Sequence, residues 1–183
     1  DSQLENLLAL WRDQDLQVTC LVPEGIASKA ITSFFGQSEP TAGTSLRQGM
    51  LEVRILPFLE QDQYDQLLWA CDCNFVRGED SFVRAQWALR PMVWQPYPQE
   101  EDAHLRKLEA FLQIYCRELP REPAEAVAGL WGAWSHGVGT AAAWRAFWAQ
   151  RAVLANHAEG WAKALQKNGD AATRLAEFCA DKL

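Results

Sequence analysis

Cys73-Asn74-Phe75-Val76-Arg77-Gly78-Glu79-Asp80-Ser81-Phe82-Val83-Arg84-Ala85-Gln86-Trp87 decides the fold, because an apolar run, a glycine turn and a helix start follow one another directly. Asn74, Phe75 and Val76 suit a strand covered on both faces, and Gly78 adopts the turn angles that other residues resist. From Glu79 the period is helical. Phe82, Ala85 and Leu89 share one face and Val83 and Trp87 widen it, so the helix is expected to be broadly buried. Strand, turn and helix in succession is how α/β proteins build anion sites. The amides of Glu79, Asp80 and Ser81 have no partner inside the helix and, with its dipole, suit a phosphate, with Arg77 as a charged donor beside them. A plainer reading stands next to this one. Asp80 or Ser81 caps the helix, and Glu79 and Asp80 are acidic first-turn residues that the dipole favours.

The rest of the chain has to discriminate between the two. Its 183 residues permit one substantial domain or one domain with an appended subdomain, and half of them are apolar, as in a globular protein without the signature of disorder. No apolar run approaches the roughly 20 residues of a membrane span, and no secretory leader opens the chain, so the expectation is a soluble, cytoplasmic protein with no membrane partner. The net charge of −7 and the absence of a basic run argue against gripping nucleic acid, while leaving nucleotide-sized anions open. Five cysteines, Cys20, Cys71, Cys73, Cys116 and Cys179, are odd in number and lack the spacing of a disulfide framework. Cys71 and Cys73 read as sharing one strand face. A zinc site joining them to His104, His136 or His157 lacks a second ligand pair at a recognisable spacing, and the expectation is buried thiols and no metal. The chain opens at Asp1 and runs straight into the helical stripe Leu4, Leu7, Leu8 and Trp11, which reads as a piece of a longer protein.

Taken in order, Val18 to Val22 reads as a strand ended by Pro23-Glu24-Gly25, and Ala27 to Phe35 as a helix. Gly36 to Gly49 reads as a loop. Leu51, Val53 and Ile55 alternate with Glu52 and Arg54, which predicts a strand with one more exposed face. A helix follows from Gln61, with Tyr64, Leu67, Leu68 and Cys71 on one side, then the central strand and helix, then a strand from Met92 to Gln95. Strands alternate with helices through connections too long for hairpins, which predicts a Rossmann-like parallel sheet with flanking helices. Such sheets bind ligands at the carboxyl ends of their strands. The loops there carry Glu24 and Gly25; Phe58 and Gln61; Arg77 to Ser81; and Tyr97. Together they supply an aromatic for a base, an amide to read its edge, and a cation with a helix start for phosphates. Each has a plainer reading too. Phe58 covers the sheet end, Tyr97 is a turn residue between prolines, and Gln61 caps its helix.

From Glu100 the chain is nearly all helix. Leu105, Leu108, Leu112 and Tyr115 stripe one helix, and the tail carries Trp131, Trp134, Trp144, Trp148 and Trp161, either a carbohydrate platform or helix packing. The domain reading is a Rossmann-like nucleotide-binding core over 1–118, whose nucleotide-sugar ligand is what the resemblance below implies, and a helical C-terminal tail over 119–183.

Gln63-Tyr64-Asp65-Gln66-Leu67-Leu68-Trp69-Ala70-Cys71-Asp72, followed by the stretch from Asn74 to Trp87, resembles the bacterial arginine rhamnosyltransferases that modify translation elongation factor P. Thr44-Ser45-Leu46-Arg47, Ile55-Leu56-Pro57-Phe58-Leu59 and Gln95-Pro96-Tyr97-Pro98-Gln99 match the same family, in its carboxyl-terminal half. The resemblance implies one half of a GT-B glycosyltransferase that moves rhamnose from dTDP-β-L-rhamnose to an arginine of elongation factor P, inverting the anomeric centre without a metal or other cofactor. It implies that Phe58 stacks on thymine and Gln61 reads the base edge. Arg77 and the amides of Asp80 and Ser81 would hold the diphosphate, Tyr97 its phosphate or sugar end, and Glu79 resembles the glutamate required for activity. The family's general base is an aspartate of the amino-terminal domain, and no residue here matches it. A second class of function also fits these residues, a non-catalytic nucleotide- or protein-binding module with the Trp-rich helices as its partner face.

Overall fold

A computed structural model describes residues 2–37, 39–167 and 169–180. The chain runs α1 (Ser2–Arg12), β1 (Val18–Pro23), α2 (Ser28–Phe35), β2 (Ser45–Gln48), β3 (Leu51–Leu56), α3 (Gln61–Ala70), β4 (Asn74–Arg77), α4 (Asp80–Trp87) and β5 (Met92–Gln95). A 3-10 turn at Glu100–Asp102 leads into α5 (Ala103–Tyr115), α6 (Arg121–His136), α7 (Thr140–Ala149), α8 (Arg151–Lys167) and α9 (Ala171–Ala180). Parallel pairing, read from the βα alternation, is present twice, β1 beside β3 and β4 beside β5. The ladder is not continuous, however. β1, β3 and β2 form one sheet and β4 and β5 another, and side chains rather than a ladder join them. Trp11 on α1 reaches Phe75 on β4 edge-on, with ring centroids 6.3 Å apart, and Val53 and Val93, both fully buried, belong to the same core.

Several expectations need correction. The stretch from Gly36 to Gly49 is not all loop, because Ser45–Gln48 pairs antiparallel with β3 through a two-residue turn at Gly49-Met50. That turn depends on Gly49, whose φ is +58° and where a Cβ would stand 2.4 Å from the Arg12 carbonyl oxygen at the end of α1. On the face of β3 that carries Glu52 and Arg54, Arg54 is half exposed, as the alternation predicts, but Glu52 is only 4% exposed. The carboxylate is buried because Ser45 Oγ, Arg47 Nη2 and Arg54 Nε and Nη2 all donate to it at 2.8–3.0 Å. Nor is α4 buried broadly. Ala85 is buried, but Val83, Trp87 and Leu89 are about half exposed, because only one side of α4 meets β4 and β5. Cys71 ends α3 and the strand begins at Asn74, so Cys71 and Cys73 do not share a strand face.

The tail's tryptophans pack. Trp131 on α6 is fully buried and donates from Nε1 to the Met92 carbonyl at 2.8 Å, which ties α6 to β5. Phe111 on α5 lies between Trp131, nearly parallel at 5.9 Å, and Phe82, edge-on at 4.7 Å, while Phe82 stacks on Trp94 at 3.9 Å. Trp144, Trp148, Trp134 and Trp161 also lie against the core, so none offers an open platform of the kind that binds sugar. Among the described residues no helix is long and apolar enough to cross a membrane.

Candidate functional site

The site is built on the turn after β4. Arg77 ends the strand, and Gly78 turns with φ +75°. The turn is fixed to β5 from both sides: Gly78 N–H donates to the Gln95 carbonyl at 3.2 Å, and Trp94 Nε1 donates to the Gly78 carbonyl at 2.8 Å. A Cβ at Gly78 would stand 2.5 Å from Tyr97 Cε2. The absent side chain is therefore what lets the Tyr97 ring lie on the turn. From there the ring faces Arg77, whose guanidinium carbon is 5.0 Å from its centroid, a cation–π contact that places the cation over the turn.

The helix start is uncapped by its own side chains. Glu79 occupies the cap position in helical geometry and its side chain makes no capping bond, and the first helical hydrogen bond is Val83 N–H to the Glu79 carbonyl at 3.0 Å. The amides of Asp80, Ser81 and Phe82 therefore precede the ladder, with the positive end of the dipole behind them. Capping by Asp80 or Ser81 is thus not the arrangement here. Asp80 Oδ2 accepts instead from Arg84 Nε at 3.0 Å, and Glu79 Oε1 lies 3.7 Å from Lys107 Nζ on α5. Arg84 also donates through Nη1 to both oxygens of Asp65 at 2.9–3.0 Å, which ties α4 to α3. Asp65 and then Asp80 hold the Arg84 guanidinium charged.

Phe58 and Gln61 belong to the loop and first turn of α3, on the side of the core that carries the other sheet. Phe58 is 85% exposed, so it does not cover the sheet end. Gln61 is not the cap either. Glu60 holds that position in a reciprocal capping box with Gln63, which leaves the Gln61 side chain exposed. Arg77, Gly78 and Tyr97 are in mutual contact, and the bonds from Arg84 to Asp65 tie the helix that follows this turn, α4, to α3, which begins at Gln61. Glu24 accepts from Ala42 N–H at 2.8 Å, fastening the loop before β2 to the end of β1.

The cysteines take no part. Burial, and after it the neighbouring Cys71, pushes the Cys20 thiol up to about 12 and raises Cys73 as well, so both stay protonated. Among the described residues no three His, Cys, Asp or Glu side chains gather as metal ligands. A cleft of about 350 Å³ lined by Trp69, Trp87, Leu89, Arg90 and Glu159 opens at the other ends of α3 and α4 and shares no residue with the turn.

A family model described as elongation factor P (EF-P) rhamnosyltransferase EarP matches residues 1–180. The chain belongs to the EarP family. Protein-arginine rhamnosyltransferase of Pseudomonas aeruginosa is 45% identical over 98% of the chain, and that of Pseudomonas putida 41% identical over 99%. The chain spans 48% of the length of each of these relatives. A solved structure, from work on the structural basis for EarP-mediated arginine glycosylation of translation elongation factor EF-P, superposes with a TM-score of 0.89 at 39% identity, over 99% of this chain and 57% of that one. The α/β class expected from the sequence, a Rossmann-like unit with parallel strands, flanking helices and a helical tail, one half of a GT-B enzyme, is the EarP fold of this chain. Lys107 and the Arg84–Asp65 bond were not legible as site features. Arg84 four residues after Asp80 is a local signal, but Lys107 arrives from another element.

Proposed function

We propose that this chain is the carboxyl-terminal, donor-binding half of a cytoplasmic protein-arginine rhamnosyltransferase. It takes dTDP-β-L-rhamnose as donor, and the whole enzyme delivers the sugar to an arginine of elongation factor P with inversion and without a metal or other cofactor. The observation that carries this is the uncapped start of α4 with Arg77 and Tyr97 laid against it, in a chain of the EarP family. In the reaction an arginine nitrogen attacks the anomeric carbon as the bond to the dTDP oxygen breaks. The charge that develops on the departing diphosphate falls to Arg77 and the amides of Asp80 and Ser81, and preorganised donors of this kind stabilise the transition state more than the bound donor. Phe58 supplies an apolar face for thymine, Gln61 an amide for its edge, and Tyr97 a contact to the phosphate or sugar end. Glu79, at the mouth of the turn, grips a sugar hydroxyl.

The guanidinium proton released on attack needs a base, since a protonated arginine is a poor nucleophile. That base is assigned to the amino-terminal half, which also receives elongation factor P, and the chain alone is therefore inactive. Calorimetric titration of the chain with dTDP, dTDP-rhamnose and UDP tests the donor site. Selective dTDP binding, stronger for the rhamnose-linked form and reduced at least tenfold by Phe58→Ala or Arg77→Ala, is expected from one stacked base and one charge-assisted contact, about 1.5–3 kcal/mol each. Equal affinity for UDP and dTDP, unaffected by either substitution, points instead to the non-catalytic binding module.

A further inference from the structure

Two carboxylates stand where a diphosphate is to bind. Glu79 and Asp80 flank the free amides of α4, and at this separation an unpaired carboxylate opposes a second anion strongly enough to cancel much of what the amides and Arg77 supply. In the structure neither carboxylate is unpaired. Asp80 is drawn along the helix to Arg84 Nε at 3.0 Å, and Arg84 is itself held by two contacts to Asp65 on α3. Glu79 is drawn toward Lys107 on α5, at 3.7 Å. The two cations belong to different elements, α4 and α5, and Glu79 at the cap position makes no capping bond to the amides that open α4. Arg84 is mostly buried, with a side chain only 21% exposed, so its guanidinium is fixed by its two aspartates rather than wandering in solvent. The missing cap fits the same picture. A glutamate at the cap position that bonded its own helix amides would occupy the anion's place, and this one does not.

We infer that Arg84, braced by Asp65, and Lys107 are positioning residues that hold the Asp80 and Glu79 carboxylates off the diphosphate. The inference rests on the donor site proposed above, and it assigns these cations no contact with the donor.

The test uses the full-length enzyme and two probes, dTDP and thymidine. Arg84→Met and Lys107→Met are each expected to weaken dTDP binding about five- to tenfold, the ratio that a freed carboxylate a few Å from a dianion produces at near-water screening, with thymidine binding unchanged. Arg84→Met/Asp80→Asn and Lys107→Met/Glu79→Gln are expected to recover dTDP affinity to within about twofold, because the charge to be held away is gone. A cation that touches phosphate directly gives the same loss in the single variant and no recovery in the double, and that result overturns the inference. So does wild-type dTDP affinity in both single variants. Arg84→Met also cuts the bond between α3 and α4, so if it does not fold, the exposed Lys107 pair decides. Arg77→Ala separates the two levels. Loss of dTDP binding there, with none in the Arg84 and Lys107 variants, removes the positioning role and leaves the donor site standing, whereas a wild-type enzyme that does not bind dTDP removes both.

Discussion

At Gly78 two requirements meet in one residue, a backbone in the left-handed region and a ring within what would be contact distance of a side chain. Gly78→Ala therefore costs roughly 1–2 kcal/mol of backbone strain, which lowers the thermal midpoint of a chain this size by roughly 2–8 °C. The new methyl group also pushes the half-exposed Tyr97 ring away from Arg77. Binding should suffer beyond the stability loss, and dTDP affinity measured well below the melting range is expected to fall while the protein remains folded. Unchanged affinity with a lowered midpoint would mean that the Tyr97–Arg77 contact is not part of the donor site. The site residues were legible at this scale to different degrees. A glycine between a strand and a helix announces a turn and an anion site from pattern alone. That Glu79 rather than Asp80 or Ser81 takes the cap position could not be read, since all three residue types suit first turns.

Elements with a clear period were legible within a residue or two: β1, α2, β3, α3, β4, α4 and β5 all stand where their apolar spacing placed them. β2 was not, for a physical reason. Ser45-Leu46-Arg47-Gln48 buries a single apolar side chain, Leu46, and the strand exists because β3 pairs with it and because Ser45 and Arg47 of β2 donate, with Arg54 of β3, to Glu52. The same cluster yields a pH prediction. Hydrogen bonds from Arg54, Ser45 and Arg47 hold the Glu52 carboxyl down at about 2 against an ordinary 4.5. Its folded value lies below its unfolded one, so its contribution to stability is complete above about pH 4.5 and is lost as the pH falls toward 2. Glu52→Gln removes that contribution at neutral pH and has nothing left to lose in acid. Urea midpoints of the two proteins are expected to differ at pH 7 and to converge between pH 4.5 and 2. A constant difference across that range would show that Glu52 acts by shape rather than by charge. The breadth of burial on α4 was misjudged because periodicity reports apolar residues, not how many neighbours are available to cover them.

At the scale of the molecule, one aromatic-rich core joins the two small sheets, and the large side chains left in solvent include Ile26, Phe58 and Tyr97, one from each of three strand-to-helix loops. Apolar groups displayed at the ligand-binding edge of an α/β unit are what a donor and a second domain would cover. The relatives are about twice as long as this chain, and a base for the arginine acceptor is assigned to what lies outside it. Loss of a positioned base alone costs roughly 10²–10⁴ in rate, and loss of the acceptor site adds to that. The chain by itself, given dTDP-rhamnose and elongation factor P, is therefore expected to show no arginine rhamnosylation by mass spectrometry of the acceptor, although it binds donor. Adding the amino-terminal half as a separate polypeptide should restore the modification, because domains of this size fold as units and meet through an interface rather than a shared core. Restored activity that depends on Arg77 in this chain would assign the donor to this half. Rhamnosylation by the chain alone would place the base among residues described here, with Glu79 the first to substitute. A mixture that stays inactive while the uninterrupted protein is active would mean that the linkage between the halves, not only their contact, brings arginine to the anomeric carbon.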